Sequence, residues 1–259
     1  MRLCAWENLP PEMQTEAVRH YYDILQAKRA GLFCKRAFDI FASLVMLVLL
    51  SPLFLILAVA IKLDSKGPVF YRQERVTQYG RHFRIFKFRS MVQNADRGSL
   101  VTVSGDARIT RVGRIIRRFR LDEVSQLINV LVGDMTFVGT RPEVPKYTAA
   151  YTDEMLATLL LPAGVTSLAS IYYKDEAELL DAASDPNAVY VGRILPAKMY
   201  YNLKAIEQFG FFRDIGIMFM TFFAVCGKEY RGDYVEPAGE KAEMQKQKVQ
   251  LTDGIGKGE

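Results

Sequence analysis

The sequence contains few of the residues from which disulfide frameworks, zinc sites and histidine-based catalytic sites are built. Its 259 residues include three cysteines, Cys4, Cys34 and Cys226, and two histidines, His20 and His82. The cysteines are too far apart for a zinc motif or a disulfide framework, which fits a reducing compartment. A metal ion bound to this chain is therefore expected to be a hard cation held by carboxylates, such as Mg²⁺.

The short motifs of several large enzyme classes are also missing. The sequence has no G-x-S-x-G, no P-loop, no G-x-G-x-x-G and no H-E-x-x-H. Their absence argues against a serine hydrolase of the α/β type, a P-loop nucleotidase, a dinucleotide-binding enzyme and a zinc protease. The remaining possibility is an enzyme that uses carboxylates to act on a phosphorylated substrate at a membrane surface.

Positive charge is abundant in one part of the chain. Residues 62–120 contain 15 Lys and Arg against 4 Asp and Glu, a net charge of +11, although the whole chain carries only +5. Such a block suggests an anionic partner: nucleic acid, anionic lipid or a phosphorylated substrate. Nucleic acid is disfavoured, because the block adjoins an apolar segment and its aromatic residues resemble strand core residues.

One long apolar run is present, the 22 uncharged residues Ile40–Ile61. A helix of this length could cross a bilayer. However, Ser51-Pro52 lies in its middle, where proline removes a helical hydrogen bond and kinks the helix. Basic residues flank both ends: Lys28, Arg29, Lys35 and Arg36 precede the run, and Lys62, Lys66 and Arg72 follow it.

The positive-inside rule places both flanks on the cytoplasmic side of a membrane. We therefore predict a re-entrant helix broken at Ser51-Pro52, with a kinked transmembrane span as the alternative. Asp39, beside Lys35 and Arg36, is expected to neutralise charge at the membrane interface.

Two adjacent carboxylates, Asp122 and Glu123, follow a run of arginines. They could simply occupy the first turn of a helix, where acidic side chains complement the helix dipole. Arg108, Arg111, Arg114 and Arg117 recur every three residues and are expected near one helix face. Arginines beside an acid pair also suit phosphoryl chemistry, because they bind phosphate oxygens while a carboxylate attacks phosphorus or holds Mg²⁺.

Several motifs together resemble one family, the monotopic phosphoglycosyl transferases, also called bacterial sugar transferases. The resemblance runs from about residue 35 to 225. It includes KRAFDI, the apolar helix with Ser-Pro, GPVFYRQERV, FKFRSM, DARITRVGRIIR, LDEVSQLINVLVGDMTFVGTRP and GVTSLAS. Several motifs in this order are far more specific than any one of them.

The resemblance implies an enzyme that starts capsule, O-antigen or exopolysaccharide synthesis. It would transfer a phosphosugar from a UDP-sugar to a polyprenol phosphate, expected to be undecaprenyl phosphate, and release UMP. The enzyme would be monotopic, in contact with the lipids of the cytoplasmic face of the bacterial inner membrane. A homodimer is left open, and the sugar is not specified.

The resemblance also assigns residues. Asp122 would be the nucleophile and would bind Mg²⁺, and Glu123 would assist metal binding or proton transfer. Phosphate ligands are expected at Arg117, Arg108 and Lys174. The family carries an arginine at the position of Lys174. Thr140, Arg141 and Pro142 match a loop that contacts uridine, with Thr140 in place of its first proline.

We therefore predict an α/β fold: a small, mostly helical, membrane-associated domain with a short β-hairpin around Gln78-Tyr79-Gly80. It would also have an N-terminal re-entrant membrane helix and interfacial amphipathic helices. Residues 1–34 are expected to form a polar or interfacial segment, 35–63 the re-entrant helix, 64–228 the catalytic domain and 229–259 a disordered tail. The alternative is a non-enzymatic adaptor in which the basic block binds anionic lipid and the acid pair caps a helix.

Overall fold

The computed structural model describes residues 1, 3–93, 106–173, 180, 185–230 and 232–233. Within these ranges the fold is mostly helical, with one antiparallel hairpin and one parallel strand pair, which confirms the coarse α/β prediction. The α-helices are α1 (Glu16–Ala27), α2 (Arg29–Leu49), α3 (Ser51–Asp64), α4 (Arg111–Arg118), α5 (Leu127–Val132), α6 (Pro145–Thr148), α7 (Leu168–Tyr172), α8 (Pro186–Val189), α9 (Leu195–Glu207) and α10 (Phe211–Val225). The strands are β1 (Phe70–Val76), β2 (His82–Phe88), β3 (Met135–Val138) and β4 (Ala163–Thr166). Short 3₁₀ helices cover Trp6–Asn8, Pro11–Met13, Gln78–Gly80, Leu121–Gln126 and Met155–Leu160, and a π-helix covers Tyr190–Ile194.

Strands β1 and β2 form the hairpin predicted around Gln78-Tyr79-Gly80. Its turn holds Tyr79 at φ 58° and Gly80 at φ 73°, a region that glycine adopts readily and tyrosine rarely. On β2, Phe83 and Ile85 point into the core. Because side chains alternate along a strand, Lys87 lies on the same face as Phe83 and Ile85, and its side chain is largely buried.

The parallel pair β3–β4 was not predicted. All four residues of β3 are at least nine-tenths buried, so its sequence lacks the alternation of a half-exposed strand. The backbones approach closely where Gly139, directly after β3, meets Gly164 of β4: a Cβ on Gly164 would lie 2.1 Å from the carbonyl oxygen of Gly139. A side chain at position 164 would therefore clash with the backbone of residue 139. The loop of residues 140–144 begins directly after this contact.

Helices α2 and α3 meet at Leu50 with a bend of 61°. Ser51 donates its hydroxyl hydrogen to the carbonyl oxygen of Val48 at 2.8 Å, and Pro52 lies in the first turn of α3, where proline is tolerated. In the described ranges no single helix is long and apolar enough to cross a membrane, although this bent pair meets the same length and composition limits together. Helix α2 begins at Arg29, so it crosses the predicted boundary between residues 34 and 35.

The N-terminal segment, which we predict to be polar or interfacial, contains helix α1 with one buried apolar face. Val18, Tyr21, Tyr22 and Leu25 of α1 are buried, and they pack with residues of the 3₁₀ helix Met155–Leu160 and of α9. Thr15 accepts a hydrogen bond from the Val18 amide and caps the helix. The segment is therefore part of the main core.

Two charged residues of the KRAFDI motif lie inside the protein. Lys35 and Asp39 are 3% and 1% exposed, so protein groups surround their charges. Lys35 donates to the Val138 carbonyl at 2.7 Å and pairs with Asp214 at 2.5 Å. Asp39 accepts from Thr136 and from the Phe137 amide. These bonds attach α2 to β3 and α10.

Arg36 belongs to the same set. It donates to the carbonyl oxygens of Val130 and Leu131 at 2.7 and 2.9 Å, near the C-terminal end of α5. An arginine at this end of a helix satisfies carbonyls that have no partner within the helix. All three residues predicted to lie at the interface thus hold α2 against the rest of the protein.

Candidate active site

The acid pair lies between helices α4 and α5. Helix α4 ends at Arg118, and Arg120 has a φ of 52°, which separates α4 from the next helical segment. Asp122 and Glu123 then fall in the first turn of the 3₁₀ helix Leu121–Gln126, and no side chain caps that turn.

Polar contacts attach this helix and its continuation to strand β2. Ser125 donates to the Phe86 carbonyl at 3.0 Å, and the side-chain oxygen of Asn129 accepts from the Phe86 amide at 2.8 Å. Both residues are buried. The acid pair is therefore held at a defined position beside the strand that carries Lys87.

Glu123 is bound by cations from two other segments. Arg141, in the loop after β3, donates to its carboxylate, and Lys87 lies 3.8 Å from the same oxygen. Burial alone would raise the pKa of Glu123, but Arg141 and Lys87 outweigh it and lower the pKa to about 2. Glu123 is thus a carboxylate throughout the physiological range.

Asp122 has a different environment. None of the ion pairs in the described ranges involves it. Burial raises its pKa above the ordinary value, Lys87 partly offsets that, and the charge of Glu123 adds to it. Two neighbouring carboxyls whose pKa values are pushed apart are typical of pairs that divide chemical roles. Glu123 is committed to its cations, and Asp122 is available to a ligand.

Of the predicted phosphate ligands, Arg117 is the one placed beside the acid pair. It lies in the last turn of α4, its charge lowers the pKa of Asp122, and its buried Nη1 has no hydrogen-bond partner. Arg108 instead precedes α4 and forms a bidentate pair with Asp106, at 2.5 to 3.0 Å. The expected single arginine face is therefore incomplete. Lys174 lies outside the described residues.

The predicted uridine loop delivers Arg141 to Glu123. Its backbone is held on both sides: the Thr140 carbonyl accepts from the Gly164 amide at 2.7 Å, and the Pro142 carbonyl accepts from Arg75 at 3.0 Å. Arg141 is therefore projected from a loop of restricted conformation.

Buried donors without a hydrogen-bond partner occur in three of the segments that form this site. Arg75 Nε, Arg117 Nη1 and Gln126 Nε2 are buried and lack a partner. Buried donors without acceptors are uncommon, and arginine donors match the oxygens of a phosphate. The donor set fits an anion with several oxygens.

The carboxylates can also hold a cation. No group of three or more His, Cys, Asp or Glu residues capable of binding a metal occurs in the part of the chain that the structure describes. Mg²⁺ commonly takes only one or two protein carboxylates and completes its shell with phosphate oxygens and water. Because Arg141 and Lys87 occupy Glu123, Asp122 is the carboxylate that fits such an ion.

Two site residues were not assigned a role from the sequence. Lys87 lies in FKFRSM and Arg75 in GPVFYRQERV. The alternation of side chains along a strand could have predicted that Lys87 points inward, because it is two residues beyond Ile85 on a predicted strand. No local signal identifies Arg75, since its role depends on the loop from β3.

Comparison with known proteins agrees with this site. The family model for bacterial sugar transferases matches residues 30–228, which include α2 to α10, the acid pair and the loop. The chain belongs to the bacterial sugar transferase family.

Two of three similar relatives of this bacterial sugar transferase carry undecaprenyl phosphate in their names. A UDP-N-acetylgalactosamine-undecaprenyl-phosphate N-acetylgalactosaminephosphotransferase of Aeromonas hydrophila is 37% identical over 193 residues, 73% of this chain and 43% of the relative. An undecaprenyl-phosphate glucose phosphotransferase of Komagataeibacter xylinus is 37% identical over 195 residues, 72% of this chain and 35% of the relative. Exopolysaccharide production protein ExoY of Rhizobium meliloti is 30% identical over 220 residues, 79% of this chain and 89% of the relative. The chain thus spans less than half the length of the first two relatives.

Proposed function

We propose that this protein is a phosphoglycosyl transferase that moves a sugar 1-phosphate from a UDP-sugar to a polyprenol phosphate, expected to be undecaprenyl phosphate. The observation that carries the proposal is that the two carboxyls of the acid pair have different partners. Glu123 is bound by Arg141 and Lys87, whereas Asp122 has no ion pair in the described ranges and lies beside the unsatisfied donor of Arg117.

The reaction would proceed in two displacements. A carboxylate oxygen of Asp122 attacks the β-phosphorus of the UDP-sugar, and the bond from that phosphorus to the bridging oxygen breaks, so UMP leaves with the electron pair. A phosphate oxygen of the polyprenol phosphate then attacks the same phosphorus. Asp122 leaves as a carboxylate, and the product is a polyprenyl-diphosphate-sugar.

The surrounding side chains would stabilise charge. Arg117 and Lys87 lie where they could bind phosphate oxygens as charge develops, and Arg141 keeps Glu123 ionised next to the nucleophile. Mg²⁺, when bound at Asp122, would neutralise the diphosphate and polarise the phosphorus under attack. Thr140 and Pro142 would face the nucleotide together with Arg141.

We also propose that the protein is monotopic on the cytoplasmic face of the inner membrane. The proposal is supported by the 61° bend between α2 and α3 and by basic residues on both flanks of the apolar run. Helix α10 adds exposed aromatic side chains, among them Phe212, Phe219 and Phe222, as in a helix lying in the interface.

Intact mass would test the covalent step. The detergent-solubilised protein is incubated with Mg²⁺ and a panel of UDP-sugars, without lipid acceptor. We expect a mass gain of one sugar phosphate with the correct donor, and none in Asp122→Asn, which keeps the size of the side chain. UMP release in the presence of polyprenol phosphate should fall by several orders of magnitude in that variant.

Asp23→Asn is the matched control, because Asp23 is an exposed aspartate on α1 that pairs with Arg19 on the same helix. It should retain full activity. UMP release by Asp122→Asn at the wild-type rate would refute the nucleophile. Wild-type protein that is folded and binds anionic vesicles, but neither gains mass nor releases UMP, would favour the lipid-binding adaptor.

A further inference from the structure

A second cluster of buried charge lies behind the loop that carries Arg141. Glu143 and Lys198 have side chains that are both 7% exposed, and Lys198 lies 3.2 Å from the Glu143 carboxylate. The Tyr190 hydroxyl donates to the same carboxylate oxygen at 2.5 Å and accepts from Lys198 at 3.0 Å. The three groups form a closed triangle of hydrogen bonds.

Burying such a pair carries a large desolvation cost, so its presence requires an explanation. The proposed chemistry uses none of these three groups, although they are bonded to one another. A tightly bonded buried polar network can specify one conformation of the segments it joins. Here the segments are the loop after β3 and the helical region of residues 190–207.

Glu143 is two residues from Arg141, and the loop between them has little freedom. The Glu143 carbonyl accepts from the Val76 amide at 3.0 Å, and the Pro142 carbonyl accepts from Arg75 at 3.0 Å. Glu143 also acts electrostatically on Arg75. The loop is therefore attached through its backbone to β1 and through the Glu143 side chain to Tyr190 and Lys198.

The position of Tyr190 depends on local helix geometry. Tyr190 begins the π-helix Tyr190–Ile194, which precedes α9, and its ring packs on Tyr147 with centroids 4.4 Å apart. π-helical turns are rare and recur at functional sites. Lys198 follows on α9, so one irregular helical segment supplies both partners of Glu143.

We propose that Glu143, Tyr190 and Lys198 form a positioning network that holds the 140–143 loop so that Arg141 reaches Glu123. The proposal rests on the proposed function, since it assigns the network to the active site of that reaction. These are positioning residues: they act through Arg141 and do not touch the reacting groups.

A double-mutant cycle on kcat/KM tests the coupling. Lys198→Met and Arg141→Met are made singly and together, and UMP release is measured. If Lys198 acts through Arg141, Lys198→Met should reduce kcat/KM about tenfold or more in the wild-type background and have little further effect in Arg141→Met. The matched control is Lys204→Met, on the same helix, where the lysine pairs with the exposed Asp233; it should change kcat/KM less than about twofold.

Tyr190→Phe is the second variant, because it removes one hydroxyl and keeps the ring that packs on Tyr147. It should lower kcat/KM with little change in the unfolding temperature, and its effect should also disappear in the Arg141→Met background.

The outcomes separate the two proposals. A wild-type protein with no UMP release from any donor refutes the proposed function and the network's role with it. An active wild type in which Lys198→Met and Tyr190→Phe lower activity equally with and without Arg141 refutes the network alone. So does a loss of activity that follows the unfolding temperature only.

Discussion

Asp122 and Glu123 are neighbours in the chain, yet the two carboxyls have opposite properties. Arg141 and Lys87 lower the pKa of Glu123 to about 2, whereas burial raises that of Asp122. The cause is contact geometry, because Arg141 and Lys87 both lie within 4 Å of the Glu123 carboxylate. One residue of separation on a 3₁₀ helix therefore distinguishes a carboxylate held by two cations from a carboxyl that forms no ion pair in the described ranges.

Lys87 should influence the acidic limit of the proposed activity, because it lowers the pKa of Asp122 that burial raises. Asp122 must be ionised to attack, so the rate should fall as the pH drops through its pKa. Lys87 lowers that pKa, and replacing it by methionine should raise it. In Lys87→Met the acidic limb of kcat/KM should therefore move to higher pH, measured by UMP release across the acidic to neutral range.

Lys66→Met is the control for that experiment, since Lys66 is exposed and distant in sequence from the acid pair. Its profile should coincide with that of the wild type. An unchanged acidic limb in Lys87→Met would show that Lys87 does not act on the nucleophile.

At the scale of elements, the bend at Leu50 would decide how α2 and α3 lie in the membrane arrangement proposed above. Pro52 lies in the first turn of α3 and cannot donate a backbone hydrogen bond. Pro52→Ala should let the two helices join into a straighter one. The flanks, which we expect on one side of the membrane, should then separate in part of the population.

Thiol labelling measures this in sealed membrane vesicles. Cys34 is exposed, and a second thiol can be placed by Lys66→Cys after Cys4 and Cys226 are replaced by serine. An impermeant maleimide should label both positions from the same side, and Pro52→Ala should make position 66 accessible from the other. Labelling of the two positions from opposite sides in the parent protein would contradict the re-entrant arrangement.

The N-terminal element should be required for stability. Leu25 of α1 is fully buried against the main core. Leu25→Ala removes that contact and should lower the free energy of unfolding by about 2–5 kcal/mol. Thermal or denaturant unfolding measures the change, and Asp23→Ala on the exposed face is the control. An effect below about 1 kcal/mol would mean that α1 is only loosely attached.

At the scale of the whole molecule, α2 is bonded to the rest of the protein through buried charge. Lys35 pairs with Asp214 on α10 and donates to Val138 of β3, and Asp39 binds Thr136 and Phe137 of β3. The apolar helix pair and the active-site loop after β3 thus share one polar junction. Movement of α2 cannot occur without disturbing β3.

One lysine faces two carboxylates at this junction, so removing the lysine should destabilise the protein more than removing one of the acids. Lys35→Met leaves Asp39 and Asp214 as two neighbouring buried carboxylates and should cost about 3–5 kcal/mol. Asp214→Asn leaves Lys35 with Asp39 and Val138 and should cost less. Both are measured by unfolding in detergent. Equal losses, or a smaller loss for Lys35→Met, would contradict the view that Lys35 neutralises both acids.

Much of this protein was predictable from its sequence. The bent apolar helix pair follows from an uncharged run with Ser-Pro at its centre, α1 from its apolar stripe, and the hairpin from aromatic segments around Tyr79-Gly80. The acid pair and its basic surroundings are also local in sequence. Motif order identified the family, because family motifs are linear.

The tertiary structure alone decided which charges meet. Local periodicity could not bring Arg75, Lys87 and Arg141 to the site of residues 122–123. These three residues come from β1, β2 and the loop after β3, respectively. Nor could it assign Lys35 to Asp214, which is 179 residues away. The parallel pair β3–β4 was missed because a fully buried four-residue strand has no alternation. Helical periodicity reports which face is apolar, whereas the pKa difference within the acid pair depends on distances that only the packed fold determines.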